Sequence, residues 1–185
     1  MINRILLSGS GGQGVITMAI LLAQAACLYE GHNAIQSQSY GPEARGGATR
    51  SDVIISDEPI YYPKVQHPNI LVALTNEASA KYLKFIRPNG IFLFDSELVQ
   101  PSTKMDADYV GFPMYKPVME RFGKPQALNI CVLGALLELT HVTSFQSIDQ
   151  CLKARFRPAF HKANEEALSL GQELAASWKN THRLG

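Results

Sequence analysis

The chain is poor in cysteine: three thiols in 185 residues, Cys27, Cys131 and Cys151, none within four positions of another. No C-x-x-C pair exists to hold zinc or an iron–sulfur cluster, and an odd count without pairing fits a reducing compartment. Each cysteine falls in an apolar, helix-like run, which reads it as a small buried thiol. The five histidines, at 32, 67, 141, 161 and 182, make no H-x-x-x-H or H-E-x-x-H pattern. Charge of one sign is lacking too. The net charge is +1, so there is no basic field for phosphate and no nucleic-acid partner is expected.

Long apolar runs are also missing. Arg4 followed by VITMAILLAQAACL at 15–28 has the outline of a signal peptide. The glycine cluster between them breaks it, and it falls short of the ~20 apolar residues that span a bilayer. A buried first helix accounts for it better, with no membrane span and a cytoplasmic location. Nor is there a repeat, a low-complexity tract or a linker. The 46% hydrophobic and 18% charged shares suit one globular domain, which at this length buries roughly 70% of its unfolded surface.

What is present is a run of short apolar strands. Residues 4–7 form a strand that enters the glycine cluster SGSGGQG at 8–14, and 13–29 are helix formers, apolar nearly all round, with Gly31 as the C-terminal stop. NAIQSQS at 33–39 alternates as a second strand, completing a βαβ unit. YGPEARGGATRSD at 40–52 reads as loop, DVIIS at 52–56 as a strand, and IYYPKV at 60–65 as a short edge segment, since its proline cannot donate to a ladder. NILVALT at 69–75 and IFLFDS at 91–96 are buried strands flanking a helix at 76–85 and a turn at 87–90; 107–113 is the last strand.

Beyond it the chain turns helical, at 126–141, in a short helix opened by a Thr143-x-x-Gln146 capping box, and at 158–178. That last helix carries Phe160, Asn164, Ala167, Leu168, Gly171, Leu174, Ala175 and Trp178 on one stripe. The fold expected is a single α/β domain over 1–185: a Rossmann-like open sheet, mostly parallel or mixed, with helices on both faces through 113, and a C-terminal helical cluster over 114–185.

Gly9, Gly11 and Gly14 have the G-x-G-x-x-G spacing of a dinucleotide site. Its confirming partner, a carboxylate roughly 20 residues on at the end of the second strand, is absent from AIQSQSYG. A P-loop needs Lys and Ser/Thr after Gly14, where Val15 and Ile16 stand. The glycines then either fit a tight turn alone or let an anion approach the helix amides, with Gln13 pointing into whatever the loop faces. The second loop follows the carboxyl end of strand two and holds Tyr40, Glu43 and Arg45 among Gly41, Pro42, Gly46 and Gly47. An Arg45–Glu43 surface pair, worth under ~1 kcal/mol, is the bland account. The functional one puts both loops side by side at the carboxyl edge of the sheet, where ligands and partners meet open α/β sheets.

GSGGQGV at 9–15 followed by SYGPEARGG at 39–47 resembles the gamma subunit of 2-oxoacid:ferredoxin (acceptor) oxidoreductases. The resemblance continues through IYYPKV, residues 76–99, ALNICVLGAL at 127–136 and the helix of Phe160 and Asn164. The tyrosine-proline segment, SYGPEARGG and Ser10, where pyruvate-type members carry arginine, are most like the 2-oxoglutarate branch. The resemblance implies a subunit of an enzyme that converts a 2-oxoacid and coenzyme A into acyl-CoA and CO2, passing electrons to ferredoxin or another acceptor. Thiamine diphosphate, magnesium (Mg) and 4Fe-4S clusters would sit on alpha, beta and delta partners. This chain alone would bind no cofactor, supply no catalytic residue and be inactive. Gly11, Gly12, Gln13 and Gly14, with Tyr40, Glu43, Arg45, Gly46 and Gly47, would form its edge toward coenzyme A or a neighbouring subunit. A free-standing NAD(P)- or FAD-binding oxidoreductase and a scaffold whose loops touch only protein are the alternatives.

Overall fold

The computed structural model describes residues 1–38 and 47–182. Alternation in the strands builds the core. In β1 (Ile2–Gly9), Ile5 and Leu7 face one side and Leu6 the other. The same split divides β3 (Thr49–Ser56), β4 (Ile70–Ala73) and β5 (Gly90–Asp95). With β2 (Asn33–Gln38) and β6 (Ala107–Phe112) they form one six-stranded sheet in the order β2-β3-β1-β4-β5-β6. β1, β4, β5 and β6 are parallel neighbours, whereas β3 runs antiparallel to both β1 and β2.

The mixed sheet with helices on both faces is the architecture expected, but β2 does not lie beside β1. β3 separates them because residues 51–56 are buried throughout, and only a central strand buries both faces. The half-polar β2 takes the edge. β3 also starts three residues before the expected strand: Arg50 and Asp52 pair with each other (2.7 and 2.9 Å), so their charges are satisfied within the ladder. The segment at 60–65 forms no strand. Val65 N donates to Asp52 Oδ2 at 3.0 Å, Arg50 donates to the Val65 carbonyl, and Ser37 Oγ donates to the Pro63 carbonyl at 2.8 Å.

One face is covered by α1 (Val15–Gln24), α4 (Leu128–Thr140), α5 (Phe145–Arg155) and α6 (His161–Thr181), the other by α2 (Asn76–Tyr82) with the turn Leu83–Phe85. α1 begins at Val15 and ends in a π-helical turn, Ala25–Tyr29, before Gly31 (φ 72°). Ala25 and Ala26 pack inward while Cys27 is exposed, contrary to the buried thiol expected, because it falls on the outer side of that last turn. Cys131 and Cys151 are buried, and burial, with the Asp95 charge nearby, pushes the Cys131 thiol up to about 12.

A further helix, α3 (Tyr115–Phe122), opens the helical part expected over 114–185, where no motif marks it. Pro117 sits in its first turn, where a missing N–H costs nothing, and Gly123 (φ 67°) ends it. The cap of α5 is Ser144, whose Oγ accepts from Ser147 N at 3.1 Å, rather than Thr143. Thr143 Oγ1 and Ser144 N instead both donate to Glu30 Oε1 at 2.7 Å, a tertiary contact that overrides the local box. Burial raises the Glu30 carboxyl, but these hydrogen bonds outweigh it and hold the group below its ordinary value.

α6 starts after a 3₁₀ turn, Pro158–Phe160, and Phe160 is 49% exposed instead of packed. In its stripe Ala167, Leu168, Gly171 and Ala175 are buried and Leu174 and Trp178 half-buried, where α4 and α6 meet backbone to backbone at Gly134 and Gly171. No helix among the described residues is long and apolar enough to cross a membrane.

Candidate functional site

β1 delivers the glycine cluster at the carboxyl end of the parallel strands, and two glycines there have positive φ, Gly12 at 86° and Gly14 at 73°. Gln13 N donates to the Ser10 carbonyl at 3.3 Å, closing the turn. The Gln13 side chain folds back over it. Oε1 accepts from Ser10 N at 2.7 Å, and Nε2 donates to the Leu74 carbonyl at 3.4 Å. Gly9 has no side chain because that space is taken: a Cβ there would lie 2.4 Å from Gln13 Oε1.

α1 leaves β1 for one face of the sheet and α2 leaves β4 for the other, so the crevice between the loops after β1 and β4 is a topological switch point. The Gln13–Leu74 bond bridges that crevice. Gln13 thus braces the loop with both ends of its carboxamide.

Gly14 caps α1 without a side-chain bond, and Asn129 of α4 fills the room it leaves. Gly14→Ala should destabilise the chain by about 2–4 kcal/mol, since a left-handed residue with a Cβ costs ~1–2 kcal/mol and overpacking adds a similar amount. The new Cβ would stand 2.3 Å from Asn129 Nδ2 and 2.8 Å from Asn129 Cβ. Gly11→Ala is the control. Among the described residues nothing lies within 4 Å of its Cβ position, so the change should stay within about 0.5 kcal/mol. Urea unfolding of the two variants checks both, and equal losses would refute the steric account.

Gly11 and Gly12 are exposed, Gln13 and Gly14 half-buried. Of the second loop, Tyr40, Glu43, Arg45 and Gly46 lie outside the described residues. Gly47 is half-buried and leads through the buried Ala48 into Thr49, which pairs with Gly9. Ser8 Oγ donates to the Thr49 carbonyl at 2.8 Å. Gln38, where β2 ends, pairs with Ser51. The residues that anchor both loops therefore meet at the start of β3, on one end of the sheet.

Two acidic residues matter here that sequence reading passed over. Asp95, fully buried where β5 ends, accepts from Glu97 N and Leu98 N with Oδ1, and from Met114 N and Tyr115 N with Oδ2. It ties β5 to the first turn of α3. A carboxylate closing the apolar run IFLFD was the available signal. Asp52 with Arg50 plays the corresponding part for β3, and Arg50 also lies over the Tyr82 ring at 5.4 Å. Among the described residues no three His, Cys, Asp or Glu side chains converge to hold a metal.

Residues 4–174 match the family model for pyruvate ferredoxin/flavodoxin oxidoreductase. The chain is 41% identical over 177 residues to the 2-oxoglutarate synthase subunit KorC of Methanocaldococcus jannaschii, covering 95% of each chain. It is 39% identical over 180 residues to that of Methanothermobacter marburgensis, covering 94% of this chain and 97% of the other. A solved keto/oxoacid ferredoxin oxidoreductase gamma subunit from Geobacter sulfurreducens superposes with a TM-score of 0.84 at 38% identity, over 95% of this chain and 99% of that one.

Proposed function

Because the chain belongs to the pyruvate ferredoxin/flavodoxin oxidoreductase family, we propose that it is the gamma subunit of a 2-oxoglutarate:ferredoxin (acceptor) oxidoreductase. The enzyme oxidatively decarboxylates the 2-oxoacid with coenzyme A, giving acyl-CoA and CO2. The observation that carries this reading is near-complete mutual coverage, at about two-fifths identity, with subunits named for 2-oxoglutarate synthase. The reading takes 1–185 as one gamma-type unit, sheet through 113 and mainly helices after it, working in the cytoplasm.

Thiamine diphosphate, Mg and 4Fe-4S clusters reside on the alpha, beta and delta subunits. The part of this chain is played at the loop edge. The exposed amides of Gly11 and Gly12, ahead of an α1 first turn that contains no acid, suit a coenzyme A phosphate, with Arg45 as the cation. A free-standing NAD(P) or FAD enzyme fits poorly, because Gln13 bridges the crevice where such a sheet would seat its cofactor.

Reconstitution tests the reading. The four subunits together should reduce ferredoxin with 2-oxoglutarate and coenzyme A, and the isolated chain should not. Arg45→Ala should raise the KM for coenzyme A about tenfold, the equivalent of one lost charged hydrogen bond, with kcat retained. An enzyme of full activity without this chain would refute the function. An unchanged KM would leave Arg45 a scaffold residue.

A further inference from the structure

The opposite end of the sheet carries a groove of about 640 Å³ that the loop edge does not share. Its floor is Ile2, Ile54 and Ile86, and its rim is built by the segment held down through Val65. Arg4, Lys64, His67 and Arg87 line it, and none of the described residues that line it is a carboxylate. Among the described residues the side chains of Arg4, Lys64 and Arg87 form no ion pair or hydrogen bond, while Asp57 nearby is taken by the N-terminal ammonium at 2.6 Å. Tyr61 is 92% exposed and Tyr62 56%, both set by Pro63 on the stretch that the Arg50–Asp52 pair anchors.

A small ligand needs walls that enclose most of its surface, and a rim whose leading ring stands in solvent supplies none. Exposed tyrosine and arginine around an apolar floor are instead the composition of a protein-interface centre. Unmatched cations there require acid from the other side. We propose that this groove is a docking surface for an acidic segment of a partner subunit of the same enzyme, with Tyr61 and Tyr62 as apolar anchors and Lys64, Arg87 and Arg4 as charge partners. The inference rests on the proposed function, which makes the chain one subunit among several.

The test is assembly of the full enzyme by co-expression, followed by measured subunit affinity. Lys64→Glu with Arg87→Glu changes two exposed side chains without partners among the described residues, so the isolated variant should keep its circular dichroism and Tm. Its affinity for the other subunits should fall at least about tenfold, more at low salt. Lys64→Arg should keep wild-type affinity, and Tyr61→Ala should weaken assembly without altering its salt dependence. Charge-reversed chain that assembles as tightly as wild type overturns the proposal and leaves the function standing. Wild-type chain that never joins the other subunits overturns both. Two other results also overturn it: self-association of the isolated chain abolished by the same double change, which would make the occupant a second copy, or saturable pyrophosphate binding lost in that variant, which would make it a small phosphate ligand.

Discussion

Replacing Gly171 by alanine should destabilise the protein by about 2 kcal/mol or more, although alanine is the better helix former by up to ~1 kcal/mol. A Cβ on Gly171 would lie 1.8 Å from the Cys131 carbonyl oxygen and 2.8 Å from Ala135 N. These are backbone atoms of α4, and no rotamer change can move them. The two helices would have to separate, opening voids around Leu133, Leu168 and Ala175 in the largest apolar cluster. Gly134→Ala should behave alike, since its Cβ would meet the Leu168 carbonyl oxygen at 2.1 Å. The double variant should lose less than the sum, because once the helices part the second methyl finds room. Urea denaturation of the three proteins measures this. A gain in stability for Gly171→Ala would show that propensity outweighs packing and that the close crossing is wrong.

Asp95→Ala should cost about 3 kcal/mol or more, as buried donors left without an acceptor lose ~1–3 kcal/mol each. Four backbone N–H groups converge on this carboxylate, that of Met114 (2.8 Å) being buried and that of Tyr115 the shortest (2.6 Å). Asp95→Asn separates charge from geometry. The carboxamide keeps one acceptor oxygen and turns its NH2 toward the remaining donors, so about half the loss should persist. By calorimetry the alanine variant should melt roughly 6–12 °C lower, the asparagine variant between it and wild type. An unshifted melting temperature for both would mean that water replaces the carboxylate and that Asp95 does not hold α3 to the sheet.

Much of the fold was legible because burial writes a period into the chain. NILVALT and IFLFDS read as doubly buried strands, and they are β4 and β5. The elements that misled were those whose partner is remote. Thr143 looks like a cap only until Glu30 reaches it from the end of α1. Arg50 looks like a loop residue until it and Asp52 neutralise each other and take hold of Val65. Pro117 hid α3, since a proline reads as a break unless the helix start is already known. Phe160 fitted the stripe of α6 by spacing, but the 3₁₀ turn rotates it out to solvent.

The loop edge divides in the same way. The sequence by itself determined that the glycine cluster lies between strand and helix, that neither a P-loop lysine nor a ribose-binding carboxylate accompanies it, and which family the two loop motifs resemble. Those facts are local, set by residue identity and spacing. Only the tertiary structure decided that β3 enters between β1 and β2, that Gln13 spends its carboxamide on Ser10 and Leu74, and that Asn129 stands where Gly14 has no side chain. Apart from the local bond to Ser10, each of these is a contact between segments distant in the chain. Its energy depends on which surfaces meet, and periodicity, which records only that a residue is buried, carries no trace of what buries it.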